Sequence, residues 1–404
     1  EFGAWFSPDG GQEWIQLESG LPSVAVEDMV IQERESDLVL ATFGRGFYVL
    51  DDYSPLREVS KDLISKPAHI FPVKDALMYV PARNKGSQGS TYFVAKNPDF
   101  GATFTYYLSD SLITLKQLRH QEEKELFEAK KPIPQPTVEQ LRAEEIEDPP
   151  FLIFIITDTD GYEVRRLTTK PKKGINRITW DLKYPGTTPV SIKENDYDPF
   201  SSDPSHYLAL PGTYYVSLSQ SAGGAITELI PPVKFNVVAL KNTTLPAANR
   251  EELVAFHTKV SKLRRSMQGA YSFTNELNNR IKYIRQSLLY TPGSTSGLIE
   301  EAAALEKRIN DVLFTFKGQP AEASWEEVPP ADMPLNRRLS VILSVHSRST
   351  SNVTKTETDN YEILLEEFPP LLEEIKLIHA DILNLENKME ELEVPWTPGR
   401  IPEW

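Results

Sequence analysis

Apolar residues recur with two different periods along the chain, and the change of period divides it into two regions. Up to about residue 240, apolar and polar positions alternate in short runs bounded by Gly, Pro, Asp and Asn, which is typical of β-strands. Beyond that point apolar residues recur at alternating spacings of three and four, which predicts long helices. The chain is therefore predicted to be a multidomain β plus α protein.

The first fifty residues hold a pattern typical of a tight β-turn, which runs Ser7-x-Asp9-x-Gly11-x-x-Trp14. A short carboxylate at Asp9 can accept backbone N–H bonds, and the neighbouring glycine can supply the positive φ that such a turn needs. Trp14 begins the next run, where a large ring can wedge against a neighbouring sheet. An ordinary hairpin turn is the alternative interpretation of the same residues.

A second pattern in this region predicts strands joined by a hairpin. Apolar runs cover residues 26–31, 38–42 and 46–50, and Phe43-Gly44-Arg45-Gly46 separates the last two. Together with the Ser7 turn, these runs amount to the tail of one propeller blade and three strands of the next. Because one and a half blades cannot close a ring, we expect the chain to be the C-terminal part of a longer protein, with partial β-propeller blades in residues 1–53.

Residues 54–246 are predicted to form an antiparallel β-sandwich. Six or seven short apolar runs with turn signals support it, and Trp180 is expected in the core between the sheets. A charged insertion over 112–148 interrupts the pattern and predicts two short helices joined by a Pro-linked segment. This insertion is interpreted either as a partner-docking arm or as a solvated insertion, and the solvated insertion is favoured.

Residues 247–404 are predicted to form an antiparallel helical bundle. Asn249 and Glu252 give a capping pattern at the start of the first helix, which Pro292-Gly293 ends. A second helix stops at Gly318, a third covers 335–345, and Pro369-Pro370 predicts a kink or a restart in the fourth. A dimerising coiled coil is the rival arrangement, and two long helices in one chain favour pairing within the chain.

Charge and composition narrow the function classes. The net charge of the chain is −15, which argues against the basic face that nucleic-acid binding needs, so no nucleic-acid partner is expected. The absence of cysteine excludes disulfides and thiolate chemistry. No apolar run is long enough to span a membrane, and no cofactor-binding or phosphate-loop motif is present.

The motifs together resemble a known family. Ser-x-Asp-x-Gly-x-x-Trp is similar to the Asp-box, or BNR repeat, of VPS10/sortilin-like propellers, and Gly174-x-Asn176, Trp180-Asp181 and Pro211-Gly212-Thr213-Tyr214 resemble a FlgD-type Ig-like domain. The resemblance covers about residues 1–240 and implies the C-terminal part of a bacterial sortilin-like propeller protein. It also implies a secreted, periplasmic or cell-surface location. One position departs from the family, because Phe43 stands where relatives commonly have His.

Candidate site residues are few. Ser7, Asp9, Gly11 and Trp14 are interpreted as structural, and Arg45 is a possible ligand-face residue whose alternative role is that of a turn residue. An acidic loop offers a weak calcium candidate, with a solvated loop as the favoured alternative; its carboxylates are Asp196, Asp198 and Asp203.

These residues do not make a complete active site, and no catalytic residue is assigned. The expected function is that of an exported binding or scaffold module, with a protein or glycan ligand on the propeller and the upstream blades as partner. The alternatives are an accessory part of a sialidase-like glycoside hydrolase whose catalytic residues lie in upstream blades, and a subunit of a cell-surface assembly.

Overall fold

The computed structural model describes residues 2–18, 20–81, 95, 97–192, 207–240, 245–346 and 349–402. Within these residues the protein is mixed β and α, with thirteen strands and seven α-helices. The chain divides into two compact units, of which the first comprises Glu1–Lys183 with Pro211–Lys241 and the second comprises Tyr184–Leu210 with Asn242–Trp404. The domain limits expected from the sequence stay predictions.

All described strands belong to the first unit. In chain order they are β1 (Trp5–Phe6), β2 (Ile15–Gln16), β3 (Val26–Gln32), β4 (Asp37–Thr42), β5 (Gly46–Leu50), β6 (Ala68–Ile70), β7 (Ala76–Met78), β8 (Ala102–Leu108), β9 (Phe151–Thr157), β10 (Glu163–Thr169), β11 (Gly174–Trp180), β12 (Gly212–Ala222) and β13 (Ala225–Ala239). The seven α-helices are α1 (Lys61–Ile64), α2 (Leu115–Glu128), α3 (Val138–Ile146), α4 (Arg250–Tyr290), α5 (Ser296–Lys317), α6 (Leu335–His346) and α7 (Lys355–Glu391).

The described strands form four sheets. Near the N-terminus β1 pairs with β2, and β3, β4 and β5 form a separate three-stranded sheet in that order. The other two sheets have five strands in the order β10-β9-β12-β13-β7 and three strands in the order β11-β8-β6. Every pairing is antiparallel except that between β7 and β13, which is parallel. The two apolar runs that flank Gly44 and Gly46 form the β4–β5 hairpin as predicted, and both glycines adopt positive φ.

The five-stranded sheet and the β11-β8-β6 sheet pack face to face through aromatic side chains. Phe104 on β8 lies 5.2 Å, ring centroid to ring centroid, from Phe235 on β13. Trp180 on β11 lies 5.3 Å from Tyr214 on β12 in the same measure. The Trp180 side chain is fully buried, and its indole N–H donates to the carbonyl of Lys183 at 3.0 Å. The prediction that Trp180 lies in the core between the sheets is therefore confirmed.

The charged insertion of the first unit forms the two predicted helices, α2 and α3. Each begins with a capping box, in which Thr114 and Thr137 exchange hydrogen bonds with the Gln three residues later. The guanidinium of Arg119 on α2 forms a two-pronged hydrogen bond with the Glu144 carboxylate on α3, at 2.6 and 2.8 Å. Neither helix has a buried residue, so this ion pair rather than a hydrophobic core joins them.

The second unit is a helical bundle whose helices begin and end near the predicted positions. The Asn249 side chain accepts hydrogen bonds from the first turn of α4, and Gly318, at positive φ, ends α5. Helix α7 runs through Pro369 and Pro370 without a break, so the predicted restart does not occur.

The order of the bundle helices differs from simple antiparallel pairing. Contacts between α4 and α7 keep a constant sequence offset, as in Phe256 with Tyr361 and Phe273 with His379, so these two helices are parallel. Helix α5 runs opposite to both, because Arg308 bonds Asp381 while the earlier residue Glu301 bonds the later Lys388. The antiparallel prediction is therefore wrong for the α4–α7 pair.

Candidate functional site

The Ser7–Trp14 segment forms a turn held by two side chains. The Ser7 hydroxyl oxygen accepts the Gly11 amide at 2.6 Å, and Asp9 Oδ1 accepts the amides of Gln12 and Glu13 at 3.0 and 2.8 Å. The Glu13 amide, followed by the Ser7 hydroxyl and the Gln12 amide, holds the pKa of Asp9 below its usual value. The predicted role of Asp9 as a backbone acceptor is therefore present, while the assignment to an Asp-box stays a prediction.

Trp14 does not occupy the place expected for it. Its side chain is 60% exposed, so it does not pack against a sheet within the described part of the chain. The ring lies beside Gly11, and a Cβ added to that glycine would come within 3.9 Å of it. The prediction that the ring wedges against a neighbouring sheet is not met by the described residues.

The β3–β4–β5 sheet has two unlike faces. Directly paired residues share a face, and successive residues of a strand alternate between faces. One face carries Leu40, which is 3% exposed, with Tyr48 on one side of it and Met29, which is 58% exposed, on the other. The other carries Val30, Val39 and Val49 in one row, with Phe47 in the next row.

This second face of the β3–β4–β5 sheet, here called the uncovered face, is open and apolar at its centre, with Asp28 paired to Ala41 in the row of Phe47. Phe47 is 76% exposed, Val30 is 58% exposed and Val49 is 54% exposed. A two-layer domain normally buries such a face against another layer. Strand β5 is also an edge of its sheet, with β4 as its only partner among the described strands.

Arg45, the predicted ligand-face residue, lies at the exposed tip of the β4–β5 hairpin. It is flanked by Gly44 and Gly46, both at positive φ, and the adjoining turn is closed by a hydrogen bond from the Thr42 hydroxyl to the Gly46 carbonyl at 2.7 Å. Arg45 does not line the cavity of the first unit, so the structure does not bring it together with another candidate group.

The calcium candidates Asp196, Asp198 and Asp203 lie outside the described residues, so that prediction stays open. Over the described ranges, no group of three or more His, Asp or Glu side chains is arranged to hold a metal ion. The same described ranges contain no helix with the length and hydropathy that crossing a membrane requires.

The first unit also contains a largely apolar cavity of about 630 Å³. One wall is the covered face of the β3–β4–β5 sheet, represented by Leu40 and Tyr48. The opposite wall is the face of β8 and β11 that turns away from the aromatic core, represented by Tyr107 and Arg177. The segment after β5, with Val59 as a buried member, and the region of β1 and β2 complete the lining.

Sequence reasoning missed this cavity because its lining comes from segments far apart in the chain. The signal lay in alternation along β8 and β11, where even-numbered residues such as Phe104 and Trp180 fill the aromatic core. Odd-numbered residues therefore face the other way, and among them only Tyr107 and Ile175 are large and largely apolar, whereas the rest are Thr or Arg. These two side chains are too weak a signal to predict a second packed layer from the strand pattern alone.

No protein-family model, curated protein or solved structure matches the chain. The resemblance to sortilin-like propellers therefore stays a prediction that the motifs of the chain carry.

Proposed function

We propose that this chain is the C-terminal part of an exported bacterial propeller protein of the sortilin-like type and acts as a binding and scaffold module. In this proposal β1 to β5 belong to the last two blades of a propeller, and the upstream blades of the same protein pack on the uncovered face. The two packed sheets would be the Ig-like domain, and the helical bundle would serve as spacer and docking surface.

The observation that carries the proposal is the exposure of the uncovered face. Val30, Phe47 and Val49 are each more than half exposed, although they lie in register on one face of a regular sheet. Blades of a propeller stack face to face, so the last blade in a closed ring needs a neighbour on each side. The free edge of β5 supports the same arrangement, because blades have four strands and this sheet has three described ones.

The Ser7–Trp14 turn gives independent support. Asp9 accepts backbone amides in this turn, which is the role that the Asp-box interpretation gives it, and the Ser7 hydroxyl oxygen accepts a further amide. Trp14, whose ring is exposed, directly precedes β2 of the β1–β2 pair, another short sheet with only two described strands. A ligand of the propeller, protein or glycan, would be bound by the assembled ring and not by this chain alone.

Two experiments test the proposal. Intact-mass measurement of the native protein should reveal upstream sequence. A native protein whose N-terminus is the first residue of this chain would overturn the proposal. The upstream segment, co-expressed with a tagged form of this chain, should co-purify with it. Phe47→Asp should abolish co-purification because it places a charge in the blade interface.

Ile146→Asp is the matched control for Phe47→Asp. Ile146 lies on α3 and is 74% exposed, close to the 76% of Phe47. The control should leave co-purification unchanged. Equal loss in both variants, or no loss in either, would contradict the use of the uncovered face.

A further inference from the structure

The cavity of the first unit has the size and lining of a small-molecule site. Its volume of about 630 Å³ falls in the range of about 300–1,000 Å³ that is typical of ligand pockets. Its deepest lining residues are apolar and buried, among them Leu40, Val59 and Leu63. A largely apolar space of this size favours an apolar occupant, since water there would find few polar partners.

Three isoleucines mark the mouth of the cavity. Ile15 on β2, Ile64 on α1 and Ile175 on β11 line it and are 37%, 45% and 43% exposed. They come from three separate elements, and the lining residues Glu18 and Arg177 are exposed beside them. The isoleucines continue the apolar lining outward, so they favour a molecule that is apolar along much of its length.

The polar atoms of the lining are largely engaged by the protein itself. The Tyr107 hydroxyl donates to the Ile64 carbonyl at 3.0 Å, and the Asn176 amide donates to the carbonyls of Lys172 and Gly174. Arg177 donates to the Asp52 carbonyl at 2.7 Å. A ligand would therefore be recognised mainly through apolar contact and not through new hydrogen bonds.

The charges of the lining disfavour an anionic ligand. Glu18 and Asp52 line the cavity together with a single described cation, Arg177. A carboxylate or sulfonate that entered would meet two acidic groups for one basic group. We propose that this cavity binds a neutral, apolar small molecule through its apolar walls.

A matched pair of fluorescent probes tests this proposal on the full chain. N-phenyl-naphthylamine is neutral, whereas anilinonaphthalene sulfonate has similar rings and a negative charge. The neutral probe should bind saturably to one site, and decanol should displace it. The sulfonate probe should bind that site at least about tenfold more weakly, because it meets Glu18 and Asp52. Equal affinity of the two probes would overturn the assignment to a neutral ligand.

Two variants locate the binding site. Ile175→Asp, at a partly exposed position, should weaken the neutral probe by about tenfold by placing a charge in the mouth. Circular dichroism should show that this variant keeps its fold, and Ile175→Trp, which narrows the mouth without a charge, should weaken the probe as well.

Phe47→Ser is the control, because it alters the uncovered face and leaves the cavity lining intact. It should leave the affinity of the neutral probe unchanged. Loss of binding in Phe47→Ser with binding retained in both Ile175 variants would overturn the proposal by placing the probe on the outer face. Absence of saturable binding to the unaltered chain would overturn it too.

Discussion

The unlike faces of the β3–β4–β5 sheet give a quantitative prediction. Leu40 and Phe47 lie on neighbouring strands of this sheet but point to opposite faces, because Leu40 pairs with Tyr48 and Phe47 with Ala41. Leu40 is 3% exposed and Phe47 is 76% exposed. Truncation to alanine at the two positions should therefore have very different costs, although phenylalanine is the larger side chain.

The expected magnitudes follow from burial. Leu40→Ala removes a buried side chain from the wall of the cavity and should cost about 2–5 kcal/mol of local stability, toward the lower end because the neighbouring space is already incompletely filled. Phe47→Ala removes an exposed ring that makes few contacts, and the cost should stay within about 0.5 kcal/mol.

Native-state amide hydrogen exchange is the appropriate assay, because a chain with two compact units need not unfold in one step. The amides of β4 should lose about 2–5 kcal/mol of protection in Leu40→Ala and less than about 0.5 kcal/mol in Phe47→Ala. Equal losses in the two variants would refute the assignment of faces. A larger loss in Phe47→Ala would mean that the uncovered face is buried in solution.

Two further predictions concern the rest of the first unit. Gly101 has φ +136°, and a Cβ there would lie 1.8 Å from the Trp180 carbonyl oxygen. Gly101→Ala should therefore cost about 3 kcal/mol or more of stability in thermal unfolding. The control Gly223→Ala, in open space at φ +57°, should cost only about 1–2 kcal/mol. The Arg119 hydrogen bonds hold the pKa of Glu144 below its usual 4.5, so this pair stabilises the α2–α3 contact above that pH and should lose its effect as the pH falls through the lowered pKa. Protection factors of the α3 amides should drop on acidification in the unaltered protein. The variant Glu144→Gln should show low protection already at neutral pH, with little further loss of protection as the pH falls. A drop on acidification as large as in the unaltered protein would contradict the assignment.

Helix limits could be predicted from the sequence because they depend on a few local residues. The Asn249 side chain caps the backbone amides of the first turn of α4, and Gly318 supplies the positive φ at the end of α5. Pro369-Pro370 is the instructive exception. Phe368 and Ile375 on either side are buried in the bundle core, so packing that is invisible in the local pattern keeps α7 continuous despite the missing amide donors.

Helix directions could not be predicted in the same way. The three-four spacing identifies a buried stripe but does not say which helix covers it. Here the end of α5 meets the start of α6, since Gly318 lies against Pro334. After α6 the chain returns to the start of α4, where the Ala247 amide donates to the Thr350 carbonyl at 2.6 Å. Helices α5 and α6 therefore follow one another in a single direction, which brings α4 and α7 together in parallel.

The distribution of perturbed ionisable groups bears on the choice between binding and catalysis. A catalytic group usually combines a shifted pKa with a place in a cleft. Among the described residues, the pKa values of Asp9 and Glu144 are lowered mainly by the hydrogen bonds that hold their own turn or helix pair. Burial, followed by the nearby Asp37, raises the pKa of Asp51, which lies next to the cavity residue Asp52 but is not part of the lining.

The shifted carboxylates thus serve the local structure, while the open features of the first unit are apolar. The uncovered face offers Val30, Phe47 and Val49, and the cavity offers an isoleucine mouth above a buried apolar floor. Apolar surfaces of this kind gain free energy by association, in proportion to the area that is removed from water, without any reacting group. The two proposals assign these surfaces to recognition, with a large partner on one face of the sheet and a small one behind the other.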